Sequence, residues 1–359
     1  MTMQFDRDTL HRALSVVGRA VPGERSRKPV LRNVLLQGGA LTGTDLDRRI
    51  SVDVAVPDHE TLLLPHARLS AIVREVPRGT QVEIAAGTKC AKIRAGRGSW
   101  TISTEDPQEF PAAEAGEATA MTVLPAAELR TAIARTVFAA DTESGRWSLT
   151  GVLLEVADKA VHFVATDGRM LASVECESGV GHGLAIVPAH TMTAIAAACE
   201  GEVDVVSLSR TPSNIVVAFD RVRITGRLLE AKFPKWRDAF PDSGVTCTAM
   251  PDPLLRAVRQ AAIVTDDVSK GVRFTFGDSL RLASASSARG VAAVECELAT
   301  TCDEVTVVLD PGFVTQVVSR LDPAQPVQIK AANESTAVVL RQGRTAAVIM
   351  PMDPKGVGL

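Results

Sequence analysis

The tetrapeptide Val-Glu-Cys-Glu occurs twice, at 174–177 and 294–297, in a chain of 359 residues. A recurrence at about a third of the chain length marks a duplicated structural unit. Two helical patterns recur with it, three times each. Leu10-Ala13-Leu14-Val17, Leu129-Ala132-Ile133-Thr136 and Leu254-Ala257-Val258-Ala261 share the spacing i, i+3, i+4, i+7, the core-facing stripe of an amphipathic helix. Leu69-Ile72-Val73-Val76, Met192-Ile195-Ala196-Cys199 and Val314-Val317-Val318-Leu321 repeat it further along each unit. Pro65, Pro188 and Pro311 stand shortly before these second stripes, where proline suits a helix start.

Strand patterns fill the intervals: VLLQ (34–37), VLLE (152–155) and VRFT (272–275), each followed by a turn and further strands. Gly96–Gly98, Asp220 and Gly343 read as hairpin turns in the longer β regions after the second helices. VECE therefore marks equivalent strands of the second and third copies. The sequence predicts an α+β fold of three tandem copies, 1–119, 120–245 and 246–359, each with two helices on one face of antiparallel sheet.

Composition fits a soluble, cytoplasmic globular protein: 46% hydrophobic and 23% charged residues, with Asp6 and Arg7 where a secretory leader would be apolar. No apolar run reaches the ~18 residues of a membrane span. The six cysteines form no CxxC pair, so free thiols are expected, with no metal and no cofactor. Net charge is −3, yet the cations are not scattered. Arg12, Arg19, Arg135, Arg256 and Arg259 fall opposite the apolar stripes of the first helices, and Arg74 and Arg320 do so on second helices. A solvated helix face explains any one of these. Their recurrence in all three copies suggests a surface that attracts phosphates without reading bases.

Over essentially its whole length the chain resembles the bacterial DNA polymerase III β subunits, the sliding clamps. The resemblance rests on KPVLRNVLLQ (28–37), LTGTDLD (41–47), PQEFP (107–111), VATDGRMLA (164–172), KFPKWRDAFP (232–241) and VIMPM (348–352). It implies a ring-shaped homodimer of three clamp domains per subunit, non-catalytic, encircling duplex DNA as a processivity factor in DNA replication. The partners it implies are a clamp-loader ATPase, DNA polymerases and other proteins with clamp-binding peptides.

The resemblance also implies sites. The partner-peptide cleft maps to Leu149, Thr166, Gly168, Arg169, Leu171, Pro241, Val348, Met350, Pro351 and Met352. Met170 stands where the family commonly carries a basic residue, so Met170→Arg is expected to alter peptide binding. The dimer interface maps to Trp100 and Ile102 on an exposed edge strand facing Ile263 and Val264 of a second subunit, with Arg74 and Arg97 as ion-pair candidates. DNA-facing positions add the loop residues Arg25, Arg27 and Lys28, and Arg146 of a loop that also carries Glu143.

Catalytic motifs are missing: no HExxH, no GxSxG, and GVGHGL (179–184) lacks a phosphate loop's lysine and hydroxyl. Asp45 and Asp167, in equivalent Thr-Asp elements with Ser286 at the third position, read as strand-end turns rather than a carboxylate pair. Two readings remain, a processivity clamp and a clamp-like paralogue whose ring serves protein interaction.

Overall fold

The computed structural model describes residues 2–23, 26–54, 61–113, 116–142, 147–157, 159–177, 181–201, 203–265, 271–353. One element order, β-α-β-β-β-β-α-β-β-β, runs three times along them. The first pass comprises β1 (Thr2–Asp6), α1 (Arg7–Val17), β2 (Asn33–Gln37), β3 (Ala40–Thr44), β4 (Arg48–Asp53), β5 (Leu62–Pro65), α2 (His66–Glu75), β6 (Gln81–Gly87), β7 (Cys90–Ala95) and β8 (Gly98–Ser103). The second comprises β9 (Thr119–Pro125), α3 (Ala126–Ala134), β10 (Gly151–Ala157), β11 (Ala160–Thr166), β12 (Met170–Glu177), β13 (Gly183–Pro188), α4 (Ala189–Ala198), β14 (Val205–Arg210), β15 (Asn214–Phe219) and β16 (Val222–Arg227). The third comprises β17 (Val245–Ala249), α5 (Pro251–Ala261), β18 (Val272–Phe276), β19 (Leu280–Ser286), β20 (Gly290–Cys296), β21 (Val305–Leu309), α6 (Pro311–Val318), β22 (Val327–Ala331), β23 (Val338–Gln342) and β24 (Thr345–Ile349).

The chain divides into two compact units, Met1–Leu129 with Gly179–Gly181 and His190–Leu228, and Arg130–Ser178 with His182–Ala189 and Leu229–Leu359. Each holds one eight-stranded and one four-stranded antiparallel sheet. In the first unit these run β5-β2-β3-β4-β16-β15-β14-β9 and β1-β6-β7-β8. In the second they run β13-β10-β11-β12-β24-β23-β22-β17 and β20-β19-β18-β21. The two long sheets are built alike: β4 pairs with β16, and β12 with β24. The third strand of one copy's β-β-β-β run thus meets the last strand of the following copy.

The apolar stripes are the buried helix faces. Leu10, Ala13, Leu14 and Val17 of α1 and Leu254, Ala257, Val258 and Ala261 of α5 are all buried. Thr136, the polar member of the second copy's stripe, is fully buried, its hydroxyl donating back to Ala132 O at 2.7 Å. Asp6 caps α1 by accepting from Thr9 N, and Asp310 accepts from Gly312 N at the start of α6. Gly43 permits close approach of the end of α1: a Cβ there would lie 2.8 Å from Val17 Cγ1. The hairpin turns at Gly96, Asp220 and Gly343 each use a left-handed backbone.

The three turn residues are equivalent. Asp45 Oδ1 accepts from the amides of Asp47 and Arg48, Asp167 Oδ1 from those of Arg169 and Met170, and Ser286 Oγ from those of Ala288 and Arg289. Their repetition reflects turn chemistry between the second and third strands of each β run.

Candidate partner cleft, free edges and helix-face cations

The residues expected at the peptide cleft all lie in the second unit, most of them on or beside its long sheet, while Met352 N donates to Val308 O of β21. β12 pairs with β24 so that Leu171 lies opposite Val348, and β24 pairs with β23 so that Val348 lies opposite Val339. Cross-strand partners share a sheet face. On that face Leu171, Val348 and Val339 join Leu153, Val164, Ile186, Phe233 and Ala337 in one buried apolar cluster, with Leu229, Trp236 and Phe240 packed against it. Thr166 donates its hydroxyl to Met170 O at 2.6 Å and accepts from Gly168 N, fixing the β11–β12 turn in which Gly168 has φ +88°. Arg169 leaves that turn exposed, its guanidinium 5.5 Å from the Phe313 ring centre. Its carbonyl accepts from Met350 N, so the pairing of β12 with β24 continues past the strand end. Met350 is 45% exposed, and Pro351 and Met352 are half-buried. Pro241 is half-buried, its carbonyl accepting from Lys330 Nζ; Leu149 is buried, its carbonyl accepting from Asp141 N.

Met170 does not line this surface. Leu171 belongs to the cluster, and successive strand residues face opposite ways, so Met170, 3% exposed, points to the other side of the sheet. Met170→Arg is therefore expected to act on stability, lowering the unfolding free energy by about 2 kcal/mol through overpacking and a partly buried charge. Denaturant titration measures this. An unchanged midpoint together with altered peptide affinity would restore the sequence expectation.

Sequence reasoning missed the aromatic wall. Trp236 Nε1 donates to Glu155 Oε2 at 3.0 Å, Arg237 Nη1 reaches the same carboxylate at 2.9 Å, and the Arg237 guanidinium lies 4.2 Å from the Trp236 ring centre. His162 stands against Trp236 at 5.4 Å between ring centres, and 4.0 Å from Glu175. Burial, and then Arg237, push the His162 imidazole below its ordinary value. Burial alone would raise the Glu155 carboxyl, but the bonds from Trp236 and Arg237 outweigh it and hold the group low. This network pins the Trp236–Phe240 segment to the sheet. The signal was the aromatic spacing inside KFPKWRDAFP.

Among the described helix-face cations, Arg12, Arg256 and Arg259 are exposed, as are Arg27 and Lys28 ahead of Pro29. Arg19 is half-buried, 3.9 Å from Glu200. Arg135 departs from expectation: its guanidinium is turned inward, donating to Arg320 O and Thr345 Oγ1 at 3.0 Å each. Arg320 lies just past α6, stacked 4.3 Å from the Phe138 ring centre. Arg25, Glu143 and Arg146 lie outside the described residues.

Among the described residues, the two four-stranded sheets each end in a strand without a neighbour on its outer side, and the two are of complementary type. β8, the last strand of the first copy, is the kind that pairs in β16 and β24; β20 is the kind that pairs in β4 and β12. Ile102 of β8 does not match its expected exposure: it is 7% exposed, packed within its own chain, and Trp100 is half-buried. The exposed apolar groups beside the free edges are Val291 on β20 (74%) and Ile263 (73%), with Val264 half-buried next to it. Arg74 is exposed beside Glu75, and Arg97 is exposed at the turn before β8.

Residues 1–114 match the family model for the DNA polymerase III beta subunit N-terminal domain, and residues 123–235 match that for its central domain. The chain belongs to the DNA polymerase III β subunit family, the sliding clamps. The beta sliding clamp of Pseudomonas putida KT2440 is 26% identical over 368 residues, covering 98% of this chain and 100% of that protein. The beta sliding clamp of Escherichia coli K12 is 26% identical over 375 residues with the same coverage. Among solved structures, the DNA polymerase sliding clamp of Pseudomonas aeruginosa superposes with a TM-score of 0.91 at 24% identity, covering 98% of this chain and all of that one. The sliding clamp of Bacillus subtilis gives 0.90 at 20% identity, covering 98% and 99%. No described helix is long and apolar enough to cross a membrane.

Proposed function

We propose that this chain acts as a non-catalytic DNA sliding clamp of three clamp domains, 1–119, 120–245 and 246–359. Two copies close into a cytoplasmic ring around duplex DNA, and partner peptides from polymerases and a clamp-loading ATPase dock beside the Leu171–Val348 cluster, where Met350 is exposed. One observation carries the reading: the chain ends its sheets in one strand of each complementary type, β8 and β20. A free edge with apolar neighbours is a liability unless it is used. Joining β20 of one copy to β8 of another repeats the junctions at β4–β16 and β12–β24, and two such joins close a two-fold ring.

The exposed cations on α1, on α5 and in the segment before Pro29 support a non-specific DNA interior. Arg12, Arg27, Lys28, Arg256 and Arg259 present charge without a base-reading element, and such contacts weaken with salt and permit sliding. Enclosure, rather than affinity, then retains the ring, and a tethered polymerase gains local concentration at the primer end.

The test is topological. Loaded onto nicked circular DNA by its clamp loader, the protein should survive gel filtration at about 0.3 M salt, where surface charge contacts are largely screened, and leave when the circle is linearised. Equal retention on linear and circular DNA would remove the proposal.

A further inference from the structure

The buried Leu171–Val348 cluster is bordered by a charge pattern. Three arginines stand over three aromatic rings around it: Arg237 over Trp236, Arg341 over Phe240 at 5.4 Å, and Arg169 over Phe313 at 5.5 Å. Arg237 is committed to Glu155. Arg169 and Arg341 are exposed, and neither guanidinium has a carboxylate within salt-bridge distance among the described residues. The nearby acids are engaged elsewhere. Asp167 accepts two backbone amides, Glu155 holds Trp236 and Arg237, and Glu177 pairs with Arg344.

The two uncommitted cations bracket the floor. Arg341 pairs with Ala346 of β24, two residues before Val348 and on the same face. Arg169 is fixed beside Met350, two residues after Val348. Four residues along β24 span about 14 Å, and the two strand spacings from β12 to β23 add about 10 Å crosswise. The backbones of the two arginines are therefore about 17 Å apart, the length of about five residues of extended chain. Between them lie the apolar cluster, Phe240 and the exposed Met350 side chain.

We propose that this cleft selects extended peptides with two carboxylate side chains six residues apart, the even spacing that puts both on one face, flanking an apolar pair at the two intervening positions of that face, which seats between Phe240 and Met350. One carboxylate meets Arg341 and the other Arg169. The proposal rests on the partner-peptide reading of the cleft given above and specifies the chemistry it recognises. Guanidinium held over a ring face is pre-oriented and loses little freedom when it pairs, so each contact sharpens discrimination more than it adds affinity.

The experiment uses the full chain and dye-labelled peptides of the form Asp-Gly-Leu-Ser-Leu-Gly-Asp, read by fluorescence anisotropy. In about 50 mM salt, replacing either Asp by Asn is expected to weaken binding about threefold, and replacing both about tenfold, within the range of exposed ion pairs. At about 0.5 M salt the differences should vanish. Arg169→Gln should abolish the penalty at one Asp and leave that at the other, and Arg341→Gln should do the reverse. Equal binding of the acidic and amide peptides in low salt, or full discrimination retained by both arginine variants, would overturn the charge pattern while leaving a peptide cleft in place. Failure of every peptide to bind would overturn the cleft reading, and this inference with it.

Discussion

Ser99→Cys combined with Ala293→Cys is expected to yield a covalent dimer on mild oxidation, seen as a doubled mass on a non-reducing gel. The register follows from the internal junctions. At β4–β16 Val52 lies opposite Val222, and at β12–β24 Val174 lies opposite Thr345. Val222 and Thr345 each open the strand after a hairpin turn, at Asp220 and Gly343, and Gly98 does so after Gly96. Val174 and Val294 share the VECE position. The same junction between two copies therefore places Val294 opposite Gly98, Ala293 opposite Ser99, Ala292 opposite Trp100 and Val291 opposite Thr101.

Burial agrees with this alignment. Trp100 and Ala292 are partly covered and Ser99 and Ala293 are exposed, so inward residues meet inward ones. A slip of one residue would oppose unlike faces. Opposed Cα atoms in an antiparallel pair lie about 4.5–5.5 Å apart, within disulfide range. Ser99→Cys with Val291→Cys, offset by two positions, is the control: diagonal neighbours about 7–8 Å apart should link poorly. Efficient linking of the control instead of the matched pair would refute the register. No linking of either at any concentration would refute the ring.

The repeat was legible because helix stripes and turn residues are local. Leu10 to Val17 and Leu254 to Ala261 announce their buried faces at the helical period, and Asp45, Asp167 and Ser286 carry their turns within a few residues. What failed depends on what covers a face. The start of β12, Met170 to Val174, is buried on both sides, so no alternation could show that Leu171 joins the aromatic wall while Met170 faces away. Likewise a helical wheel places Arg135 away from the stripe but cannot show that Thr345 and the Arg320 carbonyl, about 200 residues on, receive its guanidinium. Ile102 alternates with exposed neighbours as an edge residue would, yet its own sheet's packing covers it. Val291, in a strand of small residues, gave only the weak signal of an apolar group at an outward position.

Arg7→Met is expected to destabilise the first unit by about 3–5 kcal/mol, the range for breaking a buried, hydrogen-bonded charge. Arg7 opens α1, yet it is only 8% exposed and serves α2. Its Nε donates to Val73 O and Val76 O at 3.0 Å each, and its Nη2 to Arg74 O at 2.8 Å. These are carbonyls at the C-terminal end of α2, which no further helical turn can satisfy. Nη1 closes the arrangement on Asp8 Oδ1 at 2.8 Å. Methionine matches the length and hydrophobicity of the side-chain stem but donates nothing, so three carbonyls lose charge-assisted bonds in a covered site. Arg7→Lys should fall between, because an ammonium cannot reproduce the planar fork that reaches three carbonyls. Arg12→Met, on the exposed face of the same helix, should stay within about 0.5 kcal/mol of the parent. Urea unfolding followed by hydrogen exchange in α1 and α2 separates the cases, since the loss should appear in those helices first. Beside it His66 Nε2 reaches Leu14 O at 3.0 Å, so α1, which carries Arg12, is held against α2 by these two contacts. An Arg7→Met variant as stable as Arg12→Met would show that water replaces the guanidinium at no cost, and that this capping does not hold α1 against α2.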